Sequence, residues 1–460
     1  MLECGMFLKR CAGVLAPALG LTLTAPASAQ AADPYVAPVA APTPRPTAAA
    51  QASEADLFQV DQRNPVNNPT GAFFNGLPLP NLGYSISASL LSVYDSNYRR
   101  LPDNKQPPAG QSRSSFRFTP TINGRVNLPV GRQSLFATAV IGKDYYTANS
   151  AYNRQRLAFS GGVNLAAGSS CTGSVNGSWM QAQSNPNSTI PQGAQQGILP
   201  NTQTTRSFGA SASCGGISGF TPTASYRYSK STNQELARSF SDLTSNSYSV
   251  SLGYARPTLG VVSLFGTLSN NDYPNQPIPI LGTSRSVKIT NLGVKYSRSL
   301  TSQFSADASL SRVSIDPNSP LQQKTSNLGY GLSVNYTPPS RLSASINATR
   351  NASSSPNTGT ALYFVQQAFS ANVSYQLRST LSAALTGSTS LRTYEDQVGA
   401  IINPNQVKND RFNTVRLSVN WNPIRNMQTS FYVSQQNRNA DPNIYNYKDT
   451  TAGILISYGI

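Results

Sequence analysis

The stretch Thr451-Ala-Gly-Ile-Leu-Ile-Ser-Tyr-Gly-Ile460 decides the fold. Ala452, Ile454, Ile456, Tyr458 and Ile460 fall on one side of an extended chain, because successive side chains of a strand point to opposite faces. Towards the N-terminus, the same alternation of apolar and polar residues recurs as far back as Gly83, with no stretch of helical period. Strands with two unlike faces, sustained over residues 83–460, lead to an all-β reading: a transmembrane antiparallel up-and-down barrel whose outside meets lipid. A soluble β-solenoid or sandwich is the competing reading of the same alternation.

Composition agrees with strands rather than helices as the membrane element. Only 12% of residues are charged, yet mean hydropathy is -0.30, because Ser, Thr, Asn and Gln occupy the polar positions. A hydrophobic share of 38% excludes a disordered chain. Beyond the N-terminus, no apolar run reaches the length a spanning helix needs, about 20 residues. Residues 1–29 read as a secretory signal, with Lys9-Arg10, an apolar run from Cys11 to Thr24 and the small-residue site Ala27-Ser28-Ala29. Its removal takes Glu3, Lys9 and Arg10 with it and lowers the formal charge from +17 to +16. Residues 30–81, rich in Ala and Pro, read as an extended periplasmic leader, and residues 82–460 as the barrel. Whether Leu57 to Leu79 docks in the lumen as a plug stays open at this point.

The connections alternate in length. Short turns fall near residues 129–132, 166–169, 215–219, 256–260, 297–301, 337–341, 378–380 and 422–426; long links, such as 96–111, 184–204, 270–285, 350–362 and 437–449, lie between them. Outer-membrane barrels have short periplasmic turns, long external loops and an even strand number, which gives about 18 strands here, each expected to be about 9 to 11 residues long. Tyr254, Tyr296, Tyr336, Tyr375 and Trp421 each precede a short turn, as an interfacial aromatic girdle would.

Parity then assigns the faces. Leu328, Tyr330, Leu332, Val334 and Tyr336 point to lipid, as do Leu381, Ala383, Leu385 and Gly387, and Val415, Leu417, Val419 and Trp421. The opposite parity turns Arg117, Arg125, Arg156, Arg227, Lys295, Arg392 and Arg416 inward, with Asp307 as the clearest inward carboxylate. A basic, water-filled lumen concentrates anions and rejects cations. Strand-end placement or contacts with lipopolysaccharide phosphates would account for several of these cations equally well. Cys171 follows one short turn and Cys214 precedes the next, so an up-down hairpin sets them side by side at the periplasmic rim. A disulfide is expected there, two free thiols being the alternative.

Several chemistries are excluded. The chain has no histidine, which removes imidazole acid-base catalysis and His-containing metal sites. Gly142-Lys143 is followed by Asp144, so there is no Walker A motif, and neither a Gly-x-Ser-x-Gly elbow nor a Cys-x-x-Cys pair occurs. The carboxylates read as scattered in external loops, as with Asp272, Glu395, Asp396, Asp410 and Asp441, without the facing pair a glycosidase requires. No enzyme activity, metal or cofactor is expected.

The first strand ends Ser92-Val93-Tyr94-Asp95-Ser96-Asn97-Tyr98-Arg99. Here the chain resembles a family of outer-membrane porins whose N-terminal strand closes on a Tyr-Asp-Asp-Asn-like turn, with Ser96 in place of the second Asp. These porins often accompany exopolysaccharide or capsule export. The resemblance implies a passive conduit for an anionic polysaccharide or small solute, with periplasmic polysaccharide-export components as partners. A general porin for small solutes and a closed barrel displaying adhesive loops are the alternatives. Ile456, Tyr458 and Ile460 look like the terminal-strand signal read by barrel-assembly machinery. Outer-membrane lipid and lipopolysaccharide are the expected surroundings, and export makes nucleic acid an improbable partner.

Overall fold

The computed structural model describes residues 83–459, apart from 108, 169, 184–199, 217, 278–283, 319–323, 340, 355–362 and 396–406. The signal, the leader and Ile460 lie outside the described residues. Within them, eighteen strands follow one another: β1 (Tyr84–Asp95), β2 (Ser115–Val130), β3 (Gln133–Tyr146), β4 (Arg154–Ala167), β5 (Cys171–Gln183), β6 (Thr202–Cys214), β7 (Gly219–Asn233), β8 (Leu243–Arg256), β9 (Gly260–Pro277), β10 (Ser284–Ser299), β11 (Phe304–Pro317), β12 (Thr325–Tyr336), β13 (Leu342–Ser354), β14 (Tyr363–Arg378), β15 (Leu381–Glu395), β16 (Asn409–Ile424), β17 (Met427–Asp441) and β18 (Tyr447–Gly459). Each pairs antiparallel with its sequence neighbours, and β1 pairs with β18, from Ser87 opposite Gly459 to Asp95 opposite Thr451. The sheet therefore closes on itself and leaves no open edge.

The eight short turns lie where the polar breaks in the pattern put them. The strands, however, are longer than the 9 to 11 residues expected, running from 12 residues in β1 to 18 in β9. The excess lies at the end with the long links. β17 continues to Asp441 and β18 begins at Tyr447, so most of the expected loop 437–449 is strand. Those extensions are rich in Asn, Gln and Ser on both faces, so they pair as strands without an apolar alternation to announce them.

The outward face is apolar where a bilayer would cover it. Leu264, Leu292, Leu310, Leu328 and Val250 stand exposed on it, and the five girdle aromatics end their descending strands facing the same way. Register adds Phe220 beside Tyr254 and Phe304 beside Tyr336, with ring centroids 5.4 and 4.4 Å apart, so the girdle continues onto ascending strands. The chain has the architecture of an outer-membrane barrel.

Cys171 and Cys214 are directly opposite in the β5–β6 ladder, joined as a disulfide with Cα atoms 4.0 Å apart. They occupy the outward face, in parity with Val175 and Phe208, at the short-turn end.

Apolar clusters also occur on the inner wall. Leu91 and Val93 pack with Tyr432 and Leu455 across the β1–β18 seam. The β13–β14 hairpin departs from the cylinder above Arg350. β12 pairs with β13 only from Tyr330–Arg350 to Tyr336–Ala344, whereas β13 and β14 stay paired up to Ser354 and Tyr363. Tyr363 and Val365 pack on the inward residues Val287, Val313 and Ile315 of β10 and β11. The upper part of this hairpin thus narrows the barrel from within.

Candidate functional site: a charged arc on the inner wall

All seven cations assigned inward by parity have inward register positions, but they do not form one group. Arg117 and Arg156 meet on Asp144, whose carboxylate accepts from Arg156 Nε at 2.7 Å and lies 3.9 Å from Arg117 Nε. Thr119 donates to the same carboxylate at 2.7 Å, and Asp144 is fully buried. Arg392 and Arg416 occupy the neighbouring strands β15 and β16. The Arg392 guanidinium lies 4.9 Å from the Phe412 ring centre, and Nε donates to Gln366 at 3.2 Å; the Arg416 guanidinium covers Tyr432 at 3.9 Å. A desolvated guanidinium over an aromatic face gains roughly 2 kcal/mol. Lys295 stands apart on β10, 3.8 Å from Asp307, which also accepts from Ser297. Arg227 is half-buried on β7. Arg125 is exposed towards the periplasmic half of β2.

Sequence reading missed the partners. Arg438 makes a two-pronged contact with Asp410, both bonds 2.8 Å, and stands over Phe412 and Tyr445. Asp410 is therefore a buried strand residue, not the loop carboxylate expected; it is the second residue of β16, where the alternation has not yet begun. Asp144 and Arg438 could have been found by parity alone, the latter against Phe431 and Val433.

The Tyr94-Asp95-Ser96-Asn97 turn supplies the third ion cluster. Arg100 reaches Asp95 at 3.0 Å and Asp449 at 2.8 Å, tying the turn to β18. Buried Asn97 donates its backbone N–H to Asp95 and Asp449, its side-chain amide to Leu101 and Lys448 carbonyls, and accepts from Leu101 N–H. Arg100 sits in the left-handed region at φ 54, which costs an L-residue about 1 kcal/mol. Burial opposes its charge, but Asp449 and Asp95 overcome that and hold its pKa above the ordinary arginine value.

These clusters lie on consecutive strands from β15 through β18 and β1 to β4, in their extracellular halves. Four cations, Arg100, Arg117, Arg156 and Arg438, meet four carboxylates, Asp95, Asp144, Asp410 and Asp449, and Arg392 and Arg416 stand beside them over aromatic rings. Tyr98, Tyr146 and Tyr152 pack together beside them, with centroids 5.1 to 5.9 Å apart. Among the described residues, no group of His, Cys, Asp and Glu is arranged to hold a metal ion.

The chain matches no protein-family model and no curated protein in sequence. Among solved structures it is similar to OccK2 (OpdF) of Pseudomonas aeruginosa in complex with glucuronate, at 9% identity and TM-score 0.44, covering 82% of this chain and 96% of that one. OpdL of the same organism gives 11% and 0.43, covering 82% and 98%. The siderophore receptor PirA of Acinetobacter baumannii gives 8% and 0.43, covering 81% and 80%. At these values the likeness reaches no further than general form, and the functional reading rests on this chain's own residues.

Proposed function

We propose that the barrel is an outer-membrane channel giving passive passage to anionic solutes, with an anionic exopolysaccharide as the polymer version of the same cargo. The observation that carries this reading is the cation excess of the inner arc, where six arginines stand with four carboxylates among the described residues. A charge on a low-dielectric wall acts over several ångströms of confined water, lowering the barrier for anions and raising it for cations. The carboxylates also keep the arginines from becoming a trap: conduction needs sites that attract an ion weakly enough to release it.

Reconstitution of the purified protein in planar bilayers tests this. In a salt gradient the reversal potential is expected to have the anion-selective sign; a cation-selective sign sinks the proposal. Deleting the gene distinguishes the cargoes, since unchanged surface polysaccharide removes the polymer version and leaves the solute version standing.

The buried clusters under the extracellular links, Tyr98 with Tyr152 and Phe364 with Tyr394, Val407 and Tyr445, favour a second reading, a closed barrel that displays its loops. It predicts no conductance at all.

A further inference from the structure

The outer wall carries cations that the channel reading does not use. Outward parity at the extracellular side places Lys143, Arg206, Lys230, Arg312, Arg350 and Arg411 towards the lipid. Their partners in register are Gln155 for Lys143, Trp179 for Arg206, Thr244 for Lys230, Leu292 and Leu328 for Arg312, Tyr330 and Gln367 for Arg350, and Leu391 and Asn439 for Arg411. None of these is a carboxylate. On this wall only Asp316 meets a cation among the described residues, facing Lys288 in register and Lys324 at 3.1 Å.

Their height is common. Arg312 lies eight positions after Phe304 in β11, and Lys230 ten positions after Phe220 in β7. At about 3.4 Å per residue and a tilt near 40°, that sets them about 21 to 26 Å above the periplasmic aromatic girdle, which is the height of an outer-membrane apolar band. The cations therefore stand where the headgroups of the external leaflet begin.

One position goes further. Arg206 and Lys230 are directly opposite in the β6–β7 ladder, on the same outward face, both exposed, and neither side chain makes a hydrogen bond or ion pair with any described residue. Directly opposed Cβ atoms are about 5 Å apart, and like charges there are destabilising. Trp179 flanks Arg206, and Phe208 and Tyr228 form the next outward pair towards the midplane. Two cations above an aromatic floor, at the edge of the apolar band, match an anionic headgroup whose acyl chains run down the wall. A guanidinium offers two parallel donors to a phosphate, and an ammonium a point charge beside it.

We propose that Arg206 and Lys230 form a binding site for a phosphate group of the outer-leaflet glycolipid, with Trp179 at the sugar–acyl boundary. This depends on the barrel spanning a bilayer, and not on what crosses its lumen.

The test uses the full chain folded in uncharged detergent, reading the temperature at which the folded band is lost on a gel. Diphosphorylated lipid A is expected to raise that temperature, while dephosphorylated lipid A and inorganic phosphate alone leave it unchanged. The Arg206→Gln/Lys230→Gln pair of substitutions loses most of the lipid A shift, Arg206→Lys retains it, and Arg341→Gln at the periplasmic rim does not alter it. An undiminished shift in the double variant, or an equal shift with dephosphorylated lipid, overturns the site. Conductance of the same variants is read separately and is expected to be unchanged, so failure of the lipid site and failure of the channel reading are distinguishable.

Discussion

The inner wall is built in two ways. From β15 round to β4 it carries guanidinium–carboxylate clusters and aromatic rings; from β5 to β8, apart from Arg227 on β7, it is lined by hydroxyls. Ser174 pairs with Ser211, Ser178 with Ser207, Thr205 with Ser231 and Thr223 with Ser251, each at 2.7 to 3.1 Å across neighbouring strands. Both arcs satisfy the polar face that a water-filled barrel requires. The hydroxyl arc does so with neutral groups that each exchange a water for a neighbour at little net gain. The charged arc holds desolvated ions whose loss of one partner strands the other. Charge and fragility are therefore concentrated on the same side of the barrel, and the opposite side is a tolerant wall.

Asp410→Ala is the sharpest way to break that contrast. It leaves Arg438 buried without its carboxylate and is expected to cost about 3 to 5 kcal/mol, seen as a lower temperature for loss of the folded gel band. If the band is as stable as the parent's, the clusters are not structural. Cys214→Ser opens the β5–β6 link and is expected to cost about 2 to 4 kcal/mol, together with loss of the mobility difference between reduced and unreduced samples. Arg392→Gln with Arg416→Gln removes the two arginines stacked on rings. The anion preference in reversal-potential measurements should fall, with conductance retained; an unaltered potential places selectivity elsewhere. Ser178→Ala with Ser207→Ala, on the tolerant wall, is expected to cost about 1 kcal/mol or less and to leave the reversal potential where it was.

The contrast also explains what could be read from the chain. Strand parity is a local property, so Ser174, Ser178 and their like, and all seven candidate cations, could be turned inward from sequence alone. Register is not local. Asp410 meets Arg438 across 28 residues, and Arg100 meets Asp449 across most of the chain. Nothing in the neighbourhood of either residue announces the other. The strand extensions were illegible for a related reason: in Asn270-Asn271-Asp272 or Gln435-Gln436-Asn437, both faces are polar, and period two carries information only where the faces differ. The girdle split the same way. Tyr254 and Tyr336 mark turns along the chain, whereas Phe220 and Phe304 join them only through cross-strand pairing.

The β1–β18 seam has a consequence for how such a molecule comes to exist. Of the strands described, β1 is synthesised first, yet its second neighbour is the last, so one of its edges waits until β18 is in place. An unpaired strand edge is a template for foreign strands. Leu91 and Val93 must find Tyr432 and Leu455 before that edge is sealed, and Tyr432 lies over Gly453, where any larger residue would collide with its ring. The seam is thus a latch with a keyed fit: a barrel lacking its final hairpin is left with two open borders in place of one finished wall.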